Sequence, residues 1–241
     1  MRNGQRIILS GLSYLFRGEF FLLAQALVTR LLPARFCRMK KSIFYRLQTE
    51  SPPPKAKCLA TESFEIVHGT EASVQSIVRD LYDGSPEELA FYEEYYRKGI
   101  EPWAAQSQGK VIGVIWLYTG SYLAMWEGYD AWLLNVQVEP NGKFFANVFT
   151  DPASRGKGVF SFVAGQCFAA YPESPFYTCI EASNKPSIRS HEKMGFRQCA
   201  VACSIRFFQT TFCYFVTQTG KRRFFRIPKG QAVPISLRDS E

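Results

Sequence analysis

The segment DPASRGKGVF, residues 151–160, decides the fold of this chain. It follows a strand-like run at residues 144–149 and leads into a helix-like run that begins at Val159. The first N–H groups of a helix have no partner within the helix, and the helix dipole favours negative charge beside them. Glycines let the backbone approach a ligand closely, and two basic side chains add positive charge. The pattern predicts an anion-binding turn, with a basic surface turn as the alternative, and its residues are Arg155, Gly156, Lys157, Gly158 and Val159.

A second segment, NKPSIRSHEKMGF at residues 184–196, begins twenty-six residues after Gly158 and follows another strand-like run at residues 176–181. In this order and at this spacing, the two segments resemble the acyl-CoA-binding core of the GNAT superfamily of N-acetyltransferases. The resemblance covers roughly residues 144–200. In that superfamily an Arg/Gln-x-x-Gly-x-Gly/Ala turn binds the coenzyme A pyrophosphate, and Asn-x-x-Ala-x-x-x-Tyr-x-x-x-Gly-Phe lies on the next helix.

The resemblance implies roles for individual residues. Arg155 and Gly158 match the pyrophosphate turn, while Asn184 and Ser187 match the Asn and the small residue of the helix. His191 stands where the family often has the tyrosine that protonates the departing thiolate. An imidazolium with a pKa near 6.5 is a competent acid for a thiolate whose pKa is about 8.5. We therefore expect His191 to be catalytic, with a helix-face histidine bonded to a neighbour as the alternative.

A phenylalanine at position 160 departs from the family pattern, which has Gly or Ala there. One alternative is that the ring points away from the phosphates, because Phe160 lies just inside the helix. The other is that the ring crowds the pyrophosphate and weakens coenzyme A binding.

Direct acyl transfer also needs a base, because an amine attacks a thioester only when it is deprotonated. The acidic candidates on strand-like segments are Glu127, Asp130, Glu139 and Glu181. We select Glu181, which ends a strand three residues before Asn184. The alternative for Glu181 is a surface carboxylate with no chemical role. A backbone N–H near the end of the same strand would stabilise the oxyanion.

Hydrophobic patterning over the rest of the chain predicts an α+β fold. The order of its elements resembles that of the GNAT fold, which implies a mixed but mostly antiparallel central sheet flanked by helices. Beyond the two motifs, the expected helices are residues 71–83 and 86–97, and the expected strands are 64–68, 110–118, 131–139, 143–150, 197–209 and 211–217. The turn Pro140-Asn141-Gly142 predicts a hairpin between residues 131–139 and 143–150. The last two strands are expected to form a closing hairpin.

Positive charge is concentrated at the N-terminus. Residues 1–50 hold nine Lys and Arg against two Glu, a net of +7, whereas the whole chain has a net of +8. This concentration disfavours a nucleic-acid-binding role for the protein as a whole. Two uncharged stretches, residues 7–16 and 20–29, are split by Arg17 and Glu19, which disfavours a membrane-spanning helix. The lack of a small-x-small site before Arg17 disfavours a cleaved signal peptide.

We therefore expect residues 1–50 to form a basic amphipathic helical extension on an anionic membrane surface. The alternatives are packing on its own domain or on a second copy, which would give a homodimer. A Pro-rich linker at residues 51–60, a GNAT-like domain at 61–219 and a basic, aromatic tail at 220–241 complete the expected organisation. For the tail, a solvated end, a second membrane contact and a nucleic-acid patch are the alternatives.

The cysteine pattern bears on the compartment. Seven cysteines are scattered along the chain without a Cys-x-x-Cys pair, and the chain has two histidines. This pattern indicates reduced thiols in a cytoplasmic protein, peripheral to the inner face of the membrane if the extension binds lipid, and disfavours a metal site.

Three functions fit the sequence. The first is an acetyl-CoA-dependent N-acetyltransferase, with acetyl-CoA as co-substrate and a small amine or amino sugar as acceptor. The second is a non-catalytic CoA-binding module tethered by its N-terminus. The third is a transferase with an aminoacyl-tRNA donor, for which the basic segments would contact RNA. Tryptophans would form a wall for the acceptor or pack in the core, and they are Trp103, Trp116, Trp126 and Trp132.

Overall fold

The computed structural model describes residues 37–48, 63–126, 132–207, 210–228 and 231–237, together with the helical positions 27, 30 and 31. The strands are β1 (Cys37–Leu47), β2 (Glu65–His68), β3 (Glu101–Ser107), β4 (Lys110–Thr119), β5 (Tyr122–Trp126), β6 (Trp132–Gln137), β7 (Lys143–Thr150), β8 (Phe176–Glu181), β9 (Phe196–Phe207), β10 (Thr210–Thr217), β11 (Arg222–Pro228) and β12 (Val233–Ser236). The α-helices are α1 (Glu71–Leu81), α2 (Pro86–Arg97), α3 (Val159–Ala170) and α4 (Lys185–Lys193). The expected α+β class is confirmed.

Nine of these strands form one large sheet in the order β11-β10-β9-β1-β8-β7-β4-β3-β2. Every neighbouring pair in it is antiparallel except β7 and β8, which run parallel. The remaining strands form a second sheet in the order β12-β6-β5, in which β12 runs parallel to β6. The expected mixed, mostly antiparallel central sheet is therefore present.

Two helices cover one face of the large sheet, and the other two helices and the small sheet cover the opposite face. On the face that we call the front, α3 and α4 pack over a core that contains Phe145, Phe176 and Phe196. On the back face, α1 and α2 pack around Trp116, and the small sheet packs around Tyr177 and neighbouring aromatic residues. Successive side chains of a strand point to opposite faces, so this division gives the side on which each strand residue lies.

Local capping fixes where the two helices of the back face begin. The Thr70 hydroxyl accepts a hydrogen bond from the Ser73 N–H at 3.1 Å, and the Ser73 hydroxyl accepts one from the Thr70 N–H at 3.2 Å. The Ser85 hydroxyl accepts a bond from the Glu88 N–H, and Pro86 occupies the first position of α2. These contacts satisfy N–H groups that the helix itself leaves unpaired. None of the helices in the described ranges is long and apolar enough to cross a membrane.

The expected helical extension at residues 1–50 is wrong over its last part. Residues 37–47 form β1, which lies between β8 and β9 in the middle of the large sheet. It pairs with β9 from Cys37 to Leu47 and with β8 from Ser42 to Arg46. The predicted domain boundary at residue 61 therefore cuts off a central strand. The predicted linker at 51–60 lies outside the described residues. So do residues 1–36, apart from the helical positions 27, 30 and 31.

Two further expectations about the chain's second half are corrected. The Gly142 N–H donates to the Glu139 carbonyl at 2.8 Å, as in a tight turn, but β6 and β7 do not pair because they belong to different sheets. The predicted tail at 220–241 contributes β11 to the large sheet and β12 to the small one. The closing hairpin of β9 and β10 is confirmed.

Truncation at two points tests the role of β1. Deletion of residues 1–50 should abolish cooperative unfolding, because it leaves the facing edges of β8 and β9 without hydrogen-bond partners. Deletion of residues 1–36 keeps β1 whole and should retain a cooperative thermal transition in circular dichroism. A cooperative transition in both truncated proteins would contradict the central placement of β1.

Candidate functional site

Strands β7 and β8 start as neighbours and then diverge. Their parallel pairing covers only Lys143–Phe145 against Phe176–Thr178. The Thr178 hydroxyl donates to the Phe145 carbonyl at 3.1 Å and so stabilises the last residue pair between the two strands. Beyond it, β8 continues along β1 as far as Glu181, whereas β7 follows β4. A gap therefore opens between the carboxyl ends of β7 and β8.

A β-bulge turns β7 away from β8. The register between β4 and β7 shifts by one residue between the pairs Trp116–Ala146 and Val114–Phe149. Asn147, inside the bulge, has a φ of 44°, a left-handed conformation that asparagine tolerates better than most residues. Sequence reasoning missed this residue, although an asparagine within an otherwise apolar strand run is a signal for such a bulge. Bulges of this kind commonly lie beside active sites.

The predicted anion-binding turn follows β7 at the mouth of the gap. Gly156 and Gly158 have φ angles of 81° and 87°, so both glycines are required by the left-handed backbone. Gly158 is the N-cap of α3, and the first bond of the helix runs from the Phe162 N–H to the Gly158 carbonyl at 2.9 Å. Within the described part of the chain no side chain caps this helix. The N–H groups of its first turn are therefore available to an anion.

Contacts around the turn hold it against the sheet. The Arg155 side chain is exposed, and its Nε donates to the Thr150 carbonyl at 3.3 Å, which keeps the guanidinium beside the turn. Gly113 of β4 lies under the first residue of α3, where a Cβ would come within 2.5 Å of Val159 Cγ1. Only a glycine lets the helix start approach β4 this closely. Sequence reasoning did not select Gly113.

Helix α4 carries the second motif and starts at Asn184. The Asn184 Oδ1 accepts a hydrogen bond from the Ser187 N–H at 3.2 Å, so this side chain caps the helix. Both residues lie near the protein surface, with Asn184 exposed and Ser187 half-buried. The cap uses the Asn184 carbonyl oxygen and leaves its amide hydrogens available to a ligand.

His191 is buried between the two motif helices. Its side chain is 2% exposed, and burial lowers its pKa to about 4. Nδ1 lies 2.8 Å from the Ser187 carbonyl, and because a carbonyl only accepts, Nδ1 carries the proton of the neutral ring. Nε2 is then a bare acceptor without a hydrogen-bond partner among the described residues. Burial therefore disfavours the protonated imidazole that a general acid requires, and the catalytic role of His191 stays a prediction.

Phe160 joins the two motifs. Its ring lies 4.5 Å from the His191 ring, centroid to centroid, and it packs on the same core as Val148 of β7. It also lines the same shallow depression as Val148 and Val163. The ring therefore fills space between α3, α4 and the diverging end of β7. Both sequence alternatives for Phe160 stay predictions: the ring points away from the phosphates, or it crowds the pyrophosphate.

Glu181 lies on the other side of the sheet. Tyr177, Cys179 and Glu181 alternate with the front-facing residues of β8, and Tyr177 is part of the back core. The Glu181 side chain is exposed at the end of the strand. The structure thus brings the coenzyme-motif residues together on the front and places Glu181 at the same end of the sheet on the back.

The other candidates from the sequence have structural surroundings or lie outside the described residues. Glu139 accepts a hydrogen bond from the Tyr177 hydroxyl at 2.8 Å and lies 3.7 Å from Arg46. Trp103 and Trp116 are buried in the core. Glu127, Asp130 and the side chains of Trp126 and Trp132 lie outside the described residues.

The family follows from a sequence comparison. The model of the acetyltransferase (GNAT) family matches residues 72–196, more than half of the chain. The chain belongs to the GNAT family of acetyltransferases. The match runs from α1 to the first residue of β9, so it contains both motifs and leaves out β1.

Similar structures have low sequence identity to this GNAT chain, and no curated protein matches it in sequence. A functionally unknown conserved protein from Staphylococcus epidermidis has a TM-score of 0.48 at 9% identity, over 75% of this chain and 65% of that one. A GNAT acetyltransferase from Colwellia psychrerythraea has 0.44 at 15%, over 74% and 60%. The chain thus spans less than two thirds of the length of either. An aminoglycoside 6'-N-acetyltransferase from Acinetobacter haemolyticus has 0.40 at 18%, over 55% and 90%.

The lowered pKa of His191 predicts an acid-sensitive fold. The contribution of the neutral ring to the free energy of unfolding is full above pH 6.5, the pKa of an unfolded histidine, and is lost as the pH falls towards 4. The loss is on the order of 3 kcal/mol. The free energy of unfolding can be measured with urea for wild type and His191→Phe from pH 6.5 to pH 4. It should fall by about this amount more in wild type than in the variant. Parallel curves would show that His191 is not buried as a neutral ring.

Proposed function

We propose that this GNAT protein transfers the acetyl group of acetyl-CoA to an amine of a small molecule, with amino sugars as the first acceptor class to test. The observation that carries the proposal is the uncapped start of α3 at the mouth of the gap between β7 and β8. An anion site beside an opening between two strands suits a long ligand with a phosphate group at one end and a thioester at the other.

The turn would hold the pyrophosphate of the coenzyme. The N–H groups at the start of α3 point to one place, and the Arg155 and Lys157 side chains add charge there. Backbone N–H groups and a helix dipole together form a common phosphate site. The pantetheine arm would then lie in the gap, where the exposed amide of Asn184 supplies hydrogen-bond donors at the start of α4.

The chemistry is a direct transfer between two bound substrates. The acceptor nitrogen attacks the thioester carbon, the C–N bond forms, and the C–S bond breaks as the tetrahedral intermediate collapses. Glu181, directly or through water, takes the proton that the attacking nitrogen loses. It lies at the strand end on the face opposite the coenzyme motifs, where an acceptor can approach without passing α3 and α4. Holding both substrates in line supplies much of the rate.

His191 has a different role from that of an acid. Because its ring is neutral and Nδ1 is bonded to Ser187, Nε2 can only accept. An amide N–H of the pantetheine arm would satisfy this buried acceptor, which otherwise costs about 1–3 kcal/mol. The thiolate, with a pKa of about 8.5 as a free thiol, takes its proton from water.

One observation favours a second candidate, a CoA-binding module without catalysis. Phe160 rests on His191 in the space between the motif helices, and this contact leaves the site without an imidazolium. A domain that binds the coenzyme and lacks an acid at this position would serve as a sensor or scaffold. Turnover with amines separates the two functions.

Calorimetric titration with acetyl-CoA tests whether the protein binds the coenzyme, which both proposed functions require. Arg155→Ala should weaken binding by about tenfold or more, because a charge-assisted hydrogen bond contributes about 1.5–3 kcal/mol. Arg97→Ala, which removes the same charge from the end of α2, should bind like wild type. Lack of binding by wild type would exclude both functions.

Release of free thiol during incubation with amino sugars and other small amines then distinguishes enzyme from module. Glu181→Gln should lower kcat and leave coenzyme affinity unchanged. Binding without thiol release for any amine would favour the module, and normal kcat in Glu181→Gln would exclude Glu181 as the base.

Phe160 gives a separate test of the gap. Phe160→Ala should bind coenzyme A more tightly than wild type, because it removes the ring that fills the space beside His191. Phe162→Ala is the matched control, since Phe162 lies on the same helix and packs on Phe64 at 5.5 Å. Both variants should lose about 1–3 kcal/mol of unfolding free energy as half-buried aromatic truncations. Weaker binding in Phe160→Ala alone would mean that the ring contacts the coenzyme rather than excludes it.

A further inference from the structure

The outer four strands of the large sheet present a continuous face on the front side, beyond α4. Cross-strand pairing places twelve residues of β1, β9, β10 and β11 in three rows on this face. The rows are Ile43–Val201–Val216–Arg222, Lys41–Cys203–Tyr214–Phe224 and Met39–Ile205–Phe212–Arg226. We call these twelve residues the outer sheet face.

Large apolar side chains of the outer sheet face are open to solvent. Ile205, Phe212, Tyr214 and Phe224 are 41%, 37%, 38% and 68% exposed. They are four of the eight large hydrophobic residues that are exposed in the described part of the chain. The Phe212 and Phe224 rings stack at 6.1 Å, so the aromatic surface is continuous across β10 and β11. Apolar surface concentrated in this way marks an interaction site.

The charge of the outer sheet face identifies the sign of its partner. Lys41, Arg222 and Arg226 are the charged residues among the twelve, and none of the twelve is acidic. A two-fold contact between copies would set this face against itself and bring like charges together. The partner surface therefore carries negative charge, which the outer sheet face of a second copy lacks.

The N-terminal residues that lead into β1 carry the same sign. Residues 1–36 hold five arginines and one glutamate, a net of +4, so they do not complement the outer sheet face. They also hold the two uncharged, apolar ten-residue stretches at 7–16 and 20–29. Basic and apolar residues thus occur together in two consecutive parts of the sequence, since β1 contributes Met39 and Lys41 to the outer sheet face.

The apolar residues themselves distinguish lipid from nucleic acid. Six of the nine are aliphatic or cysteine, and these side chains offer no flat ring on which a base can stack. Aliphatic and aromatic groups both enter the headgroup boundary of a bilayer, and basic side chains beside them contact lipid phosphates. The arginines on the edge strand β11 also oppose addition of another strand.

We propose that the outer sheet face docks on an anionic phospholipid bilayer. Phe224, Phe212 and Ile205 enter the headgroup boundary, while Arg222, Arg226 and Lys41 bind lipid phosphates. The contact places α3, α4 and the coenzyme turn on the membrane-facing side of the sheet, because all of them lie on the front.

Co-sedimentation of the full chain with phosphatidylcholine vesicles, with and without phosphatidylserine, tests the docking. Wild type should bind the anionic vesicles more tightly than the neutral ones. Arg226→Glu should weaken that binding at least about fivefold. Arg223→Glu is the matched control, because Arg223 is the mirror position on the same strand, paired with Phe215 on the back face. Phe224→Ser should also weaken binding, and Leu123→Ser, an equally polar change at an exposed residue of β5, should not.

Equal losses in Arg226→Glu and Arg223→Glu would overturn the proposal, because net charge alone would then explain binding. So would retained binding in Phe224→Ser with an unchanged thermal transition. Concentration-dependent dimerisation that Phe224→Ser abolishes would assign the face to a second copy. Binding of a single-stranded RNA oligomer, with no binding to anionic vesicles, would assign it to nucleic acid.

Discussion

Strand β8 has two neighbours and follows only one of them to its end. Its backbone pairs with β7 over three residues and with β1 over five, and buried N–H and C=O groups must be paired somewhere. Because β1 supplies those partners, β8 is free to leave β7, and the gap opens without orphaned backbone groups. Strand β1 also joins β9, β10 and β11 to the rest of the sheet. The proposed coenzyme site and the outer sheet face both depend on the pairing of β1 with β8.

The two motifs meet through a contact that changes their chemistry. The family pattern has a small residue at position 160 and often a tyrosine at position 191, whereas here Phe160 rests on His191. Apolar packing by Phe160 and Phe196 removes water from the imidazole, and desolvation is the main reason that its pKa falls. A residue that a motif comparison marks as an acid thereby becomes a neutral acceptor. Proton transfer in the proposed reaction then rests on Glu181 and solvent.

Local signals were predicted well and long-range partners were not. The limits of β7, β8 and α2 agree with the sequence, since a proline, a glycine or a capping residue marks their ends. The turn at Gly142 is also present, yet the strands on either side of it go to different sheets. The basic charge of residues 37–47 and 222–228 suggested exposed extensions. Both segments are strands instead. Basic residues are compatible with a strand because the backbone forms the cross-strand hydrogen bonds while the cations point to solvent.

The sequence by itself determined the anion-binding turn, the start of α3, the cap of α4 and the family. These features depend on residues a few positions apart, through glycine backbone freedom, side-chain caps and motif spacing. Only the tertiary structure decided that β1 lies between β8 and β9, that a bulge at Asn147 opens the gap, and that His191 is neutral. Each of these depends on which distant segments pack together, and a local pattern in the sequence does not identify those partners.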